Sequence, residues 1–174
     1  MKNVSVKELV LMAFYVALFM VLDTFVNSLH ILEMPNGGSL GVSTLALLMA
    51  SYHLGWKKGT IVSIVSVFAQ FLTGPMYTPD LIGFLLDYFI AFSVYGLASI
   101  FPNFGFVFTG VFITNLVRFI SSVISGVIVY HTTLWGSITY QVTYMLPTVI
   151  MAMVVLPLLY KVLEPQIKKM NMHR

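Results

Sequence analysis

Stretches of predominantly apolar residues, long enough to cross a lipid bilayer, recur along this chain. They constrain its folding more than any other feature. A helix needs roughly 20 such residues to traverse the hydrocarbon core. Six stretches are candidates, the second and third of them short: 8–28, 39–54, 59–74, 79–100, 104–130 and 136–162. Turn signals separate them, namely "GWKKG", the Gly-Pro and Pro-Asp pairs of "TGPMYTPD", and "FPNFG". Charged residues make up only 9% of the chain, against about 25% in soluble domains. The expected fold class is therefore an all-α integral membrane protein. It has six transmembrane helices and forms a single membrane-embedded domain over 1–174. The start, "MKNVSVKELVLMAFYVALFMVL", has the look of a signal peptide, but its apolar run is long and lacks a small-x-small cleavage site. It reads as a retained first span.

The basic residues give the orientation. Lys2 and Lys7 precede the first span, Lys57 and Lys58 separate the second from the third, and Lys161, Lys168, Lys169 and Arg174 follow the sixth. The intervening segments 29–38, 75–78 and 131–135 contain no Lys or Arg. With six spans all these cations share one side, which the positive-inside rule makes cytoplasmic. Both termini are expected there, in a multi-pass protein of a cell membrane, bacterial by expectation. The formal charge of +3 is thus a topology signal, and no nucleic-acid partner is expected. The absence of cysteine excludes thiol catalysis, disulfides and thiolate metal sites. His30 and His131 fall in outer segments and belong to no metal-ligand cluster.

Four polar stripes run along the spans at helical spacing. Ser63, Ser66 and Gln70 share a face of the third. Asp80, Phe84 and Asp87 share one on the fourth. Asn115, Arg118, Ser122 and Ser125 line the fifth, and Ser137, Gln141, Tyr144 and Thr148 the sixth. Each stripe would be costly against lipid, so all four should converge on a polar cavity opening outward. The alternative is Ser and Thr hydroxyls bonding their own helix backbones.

Asp87, in "FLLDYFIAF", is the sharpest case, because a carboxylate at bilayer depth costs about 3 kcal/mol or more. Taking Pro102 and Asn103 as the turn between spans four and five, Asp87 and Arg118 lie at equal chain distance from it. Two readings follow: a buried ion pair in which Arg118 is structural, or a carboxylate presented to a ligand and kept ionised by Arg118. Ala13 and Ala17 form a small-xxx-small pattern on span one that permits close helix approach. No G-x-x-x-x-G-K-[ST] and no H-E-x-x-H is present, and Ser125-Gly126 lacks the glycine of a nucleophile motif. The chain is not expected to be an enzyme, and uphill transport would need energy from outside it.

The motifs "MPNGGSLG", "LGWKKG", "FLTGPMY", "FLLDYFIAF" and "VRFISSVISGVIVY", in that order, resemble the ThiT family. These are thiamine-binding S components of energy-coupling-factor (ECF) transporters. The resemblance implies a vitamin-capture subunit energised by a transmembrane coupling protein (the T component) and two cytoplasmic ATPases. Ala13 and Ala17 match the family's docking motif for the T component. Asp87 and Tyr88 match its substrate-contacting acidic-Tyr pair. Tyr77 matches a pocket tyrosine, and Tyr130 a pocket aromatic. Three positions depart from the pattern: Ser122 replaces a pocket His, Gln141 an Asn, and Ser66 a Trp. The expected ligand-binding set is Asp87, Tyr88, Tyr77, Ser122, Tyr130, Trp135, Gln141 and Tyr144, with Tyr130 or Trp135 as stacking face. The 29–38 segment is the expected lid, pivoting at Gly37 and Gly38, and no cofactor is expected. Thiamine, a pyridoxine-type compound or a hydroxymethylpyrimidine would fit as ligand. A self-sufficient secondary transporter is the rival reading.

Overall fold

A computed structural model describes residues 4–30, 33–73 and 78–172. Six helical segments and one short hairpin make up the described chain: α1 (Val6–Ser28), α2 (Thr44–Leu54), α3 (Trp56–Thr73), α4 (Leu81–Ile100), β1 (Asn103–Phe104), β2 (Val107–Phe108), α5 (Thr109–Ile128) and α6 (Leu134–Met172). Among the described residues, four are long and apolar enough to cross a membrane: α1, α4, α5 and the Leu134–Lys169 part of α6. The expectation of an all-α membrane protein is met at that level.

The two helices outside that group differ from the expected spans for a physical reason. Helix α2 has 11 residues and is buried all round, and at 1.5 Å per residue it is only about 17 Å long. A helix apolar on every face belongs inside a bundle, and α1, α3, α4 and α6 surround this one. Residues 39–43, expected as its first turns, are irregular instead. Leu47, Leu48, Phe19, Val67, Tyr95 and Leu156 form the dry centre around it.

Helix α4 is continuous but mixed. An α-helical start, Leu81–Gly83, gives way to a π-helical stretch, Phe84–Ile90, and the helix ends as a 3-10 segment, Val94–Ile100. Asp80 does not point into the bundle with Asp87. It caps the helix by accepting from the Gly83 amide at 2.7 Å. Helix α6 runs past the expected 136–162 span despite Pro147, Pro157 and Pro165.

Side-chain contacts gather the cationic segments at one end. The first turn of α1 is closed by a capping box between Ser5 and Glu8, and Glu8 also pairs with Lys58. The ring of Tyr160 meets Tyr52 and Phe108 at centroid distances of 6.1 and 5.3 Å. Beside it, the Lys161 ammonium lies 5.9 Å from the Phe106 ring centroid. The turn into α3, the hairpin and the lysine-bearing part of α6 therefore share an end with the start of α1.

Helices α3 and α4 pack backbone against backbone at Gly96, where a Cβ would stand 2.3 Å from the Thr60 Cα. Nearby, Ser51 donates to the Gly96 carbonyl at 2.6 Å, the kind of polar glue that joins helices in hydrocarbon. Overpacking of this contact costs about 1–3 kcal/mol or more. Gly96→Leu is expected to lower the midpoint of thermal unfolding in detergent by several degrees, measured by differential scanning fluorimetry.

Candidate ligand-binding site

At the end opposite the lysines the helices diverge around a cavity of about 370 Å³. That volume lies in the range of small-molecule sites, roughly 300–1,000 Å³. Its walls come from α1 (Asp23, Asn27), the 33–43 segment, α3 (Gln70), α4 (Asp87, Tyr88, Phe92), α5 (Arg118, Ser122, Gly126) and α6 (Ser137, Tyr140, Gln141, Tyr144), with Tyr130 and Thr132 in the α5–α6 turn. The four stripes thus contribute to one chamber.

The π-helical stretch presents Asp87 and Tyr88 to the cavity. Such turns widen the helix and recur at functional sites. Here Ser121 donates to the Leu86 carbonyl at 2.7 Å, bracing that stretch against α5. Asp87 accepts from the Ser125 hydroxyl at 2.5 Å. The Tyr88 ring lies between Phe84 and Phe92, 6.3 Å from each and nearly parallel to both.

The expected Asp87–Arg118 ion pair is not made. The β1–β2 hairpin pairs Asn103 with Phe108 and Phe104 with Val107, so its midpoint falls between Gly105 and Phe106 rather than at Pro102 and Asn103. That displacement carries the position opposite Asp87 from Arg118 along α5 to Ser125. Arg118 instead donates through Nη1 to the Tyr95 hydroxyl at 3.2 Å and lies 4.6 Å over the Phe92 ring centroid. Tyr95 in turn donates to Asn115 Oδ1 at 2.8 Å.

Six of the eight expected ligand residues line the cavity: Asp87, Tyr88, Ser122, Tyr130, Gln141 and Tyr144. Tyr77 lies outside the described residues. Trp135 is 77% exposed and absent from the wall. It occupies the opening turn of α6, where Gly136 and Ser137 take the inward face, leaving Tyr130 as the aromatic at the mouth. Ser66 is buried but off the wall. Ala13 and Ala17 stand on the exposed side of α1 with Val6, Val10 and Val21.

Sequence reasoning missed the contribution of α1. Asp23 accepts from the Ser43 hydroxyl at 3.0 Å, and Asn27 accepts from the Ser39 hydroxyl at 3.0 Å. The signal was present, since these two polar residues sit four apart in an apolar run and therefore on one helix face. Tyr140 was missed as well. Its hydroxyl donates to the Gly37 carbonyl at 2.8 Å and accepts from the Asn36 amide at 2.9 Å. The 33–38 part of the expected lid is thereby fastened over the cavity. Gly38, at φ +95°, passes so close to the Tyr144 ring that a Cβ would stand 2.7 Å from its Cζ. Only glycine fits both that backbone conformation and that gap.

Residues 9–168 match the family described as "Thiamine transporter protein (Thia_YuaJ)". The chain belongs to that family. It is also similar to a protein called "Thiamine transporter ThiT" from Bacillus subtilis (strain 168), with 29% identity over 150 residues, covering 74% of this chain and 78% of the relative. The family is one of transporters. Family membership and the apolar helices together make this a membrane transport protein.

The fastening of the 33–38 segment can be tested directly. Tyr140→Phe removes both hydrogen bonds to the loop, each worth about 1 kcal/mol net. The variant is expected to release bound ligand about thirtyfold faster, with little change in association rate, as read by stopped-flow fluorescence.

Proposed function

We propose that this protein is the substrate-capture S component of an ECF-type transporter and that it binds thiamine in this cavity. The observation that carries the reading is the composition of the cavity wall. Asp23, Glu33 and Asp87 face it with Arg118 as the one cationic side chain among the described lining residues, and Tyr88, Phe92, Tyr130, Tyr140 and Tyr144 supply aromatic surface. Thiamine joins a permanently cationic thiazolium ring to an aminopyrimidine. A carboxylate-rich, aromatic-lined chamber suits such a ligand, since cations gain from both carboxylates and ring faces when desolvated.

In this reading Asp87 is the counter-charge to the cationic ring, and Tyr88, Gln141 and Tyr144 furnish hydrogen bonds. Ser122 opens space on the α5 wall. Tyr77 remains a proposed pocket residue on the strength of the family resemblance. The six helical segments all cross or enter the bilayer, and the lysine-bearing end, with both termini, is cytoplasmic under the positive-inside rule. The cavity then faces outward, in the plasma membrane, where it captures vitamin from the medium. Energy comes from two cytoplasmic ATPases through the T component, which docks on the exposed Ala13 and Ala17 face, where small side chains permit close helix approach. Ser122 and Gln141, both on the wall, favour a second reading in which the same scaffold takes a related heteroaromatic such as a pyridoxine-type compound or a hydroxymethylpyrimidine.

A thermal-shift panel of purified protein separates these readings, with thiamine expected to give the largest stabilisation and its pyrimidine half or pyridoxine little. A larger shift with one of the latter would reassign the ligand. Asp87→Asn is expected to weaken thiamine binding at least tenfold, about 1.4 kcal/mol, while leaving ligand-free unfolding unchanged. Unaltered affinity by calorimetry would remove Asp87 from the site. Replacing both Ala13 and Ala17 with Leu is expected to abolish uptake in cells but spare binding in detergent, and lost binding would contradict a docking role.

A further inference from the structure

Arg118 has no role in the reading above. It is 7% exposed yet lines the cavity. Among the described residues, Tyr95 is its only hydrogen-bond partner, through Nη1. Its Nε is fully shielded and unpartnered. Among the described residues Nη2 has no hydrogen-bond partner either and, unlike Nε, is not among the fully shielded atoms, which leaves it available to the cavity that Arg118 lines. The group is also held rigidly. Phe92 lies beneath it, Tyr95 fixes Nη1, and Gly41 passes so close that a Cβ there would stand 3.3 Å from Nη1. Arg118 precedes Ser125 by two helical turns on α5, roughly 10 Å towards the lysine end. It therefore sits at the deep end of the chamber, below Asp87.

A rigid buried guanidinium with an unused donor aimed into a cavity is built to recognise an acceptor. Two ligand chemistries could supply one, an anionic group such as a phosphate ester or a neutral heteroatom. Asp23 and Asp87 both lie within electrostatic reach of Arg118, and Glu33 shares the cavity. Carboxylates therefore outnumber the single guanidinium, which opposes a phosphate and leaves the neutral acceptor.

We propose that Arg118 is a ligand-binding residue whose Nη2 donates a hydrogen bond to a neutral acceptor atom of a cationic heteroaromatic ligand at the floor of the cavity. In thiamine the candidate acceptors are the two pyrimidine ring nitrogens and the hydroxyl of the hydroxyethyl chain. The inference rests on thiamine being the ligand. The site would then read the ligand at two heights, its positive charge at Asp87 and an uncharged acceptor at Arg118.

The test is a cycle between protein and ligand. Affinities of the wild type and of Arg118→Lys are measured by calorimetry for thiamine, for the analogue with ethyl in place of hydroxyethyl, and for the analogues in which one pyrimidine nitrogen is replaced by CH. Arg118→Lys is expected to weaken thiamine binding at least tenfold. One analogue is expected to bind the wild type at least tenfold more weakly than thiamine, yet to bind the variant no more weakly than thiamine does. Equal losses on both proteins for every analogue would overturn the proposal while leaving thiamine binding intact. Failure of the wild type to bind thiamine at all would instead remove the functional reading on which it rests. Should the variant not fold, the wild-type complex decides the matter. A ligand-bound structure is expected to place an acceptor about 3 Å from Nη2, and a floor contact made only by carbon would refute it.

Discussion

Backbone that leaves helical geometry inside a bilayer must find its hydrogen bonds within the protein, because hydrocarbon offers none. The 38–43 segment meets that demand, and much of the architecture follows from how it does so. The Gly41 amide donates to Thr148 Oγ1 at 2.9 Å, on a residue about four turns into α6. Ser39 and Ser43 reach α1 through Asn27 and Asp23, and the Asn36 amide reaches α6 through Tyr140. Because the chain remains irregular down to Ser43, α2 is short. The volume that its upper turns would have filled is left as a chamber.

The same requirement explains why the chamber is polar. Asp23, Asp87, Arg118 and Gln141 would each be expensive against lipid, and the open volume lets them face one another and any guest. Interhelical polar contacts in membranes average well under 2 kcal/mol each, so no one of them holds the bundle. The dry contacts lower down, around Leu47, Leu48, Phe19 and the Gly96–Thr60 approach, do that. The molecule is thus divided by height: a tightly packed lysine end, and an open, polar end in which α1, α4, α5 and α6 line the cavity. The proposed ligand recognition belongs to the second half, and the proposed partner docking to the exposed flank of α1.

Much of this was legible in the sequence because apolar length and helical spacing are local signals. The helices expected at 8–28, 59–74 and 104–130 correspond to α1, α3 and α5 within a few residues, and each stripe on spans three to six supplies at least one residue to the cavity wall. What escaped is what depends on non-local geometry. Nothing in "FLLDYFIAF" announces a π-helical stretch, and the β1–β2 hairpin moved the register of α4 against α5 enough to exchange Arg118 for Ser125 as the neighbour of Asp87. Trp135 was expected as an alternative stacking face to Tyr130, but a helix start turns it outward. Asp23 and Asn27 were overlooked because span one was read for its small residues rather than for the polar pair at its outer end.

The central claim is that the cavity opens to the exterior and holds thiamine. The chain has no cysteine, so single thiols can be introduced without background. Thr132→Cys at the mouth and Lys168→Cys at the far end, each in intact cells, would be challenged with a membrane-impermeant maleimide. The account predicts that the first is labelled from outside and is protected by thiamine, while the second is labelled only after permeabilisation. Labelling of the first that requires permeabilisation, or that thiamine leaves unchanged, would contradict it.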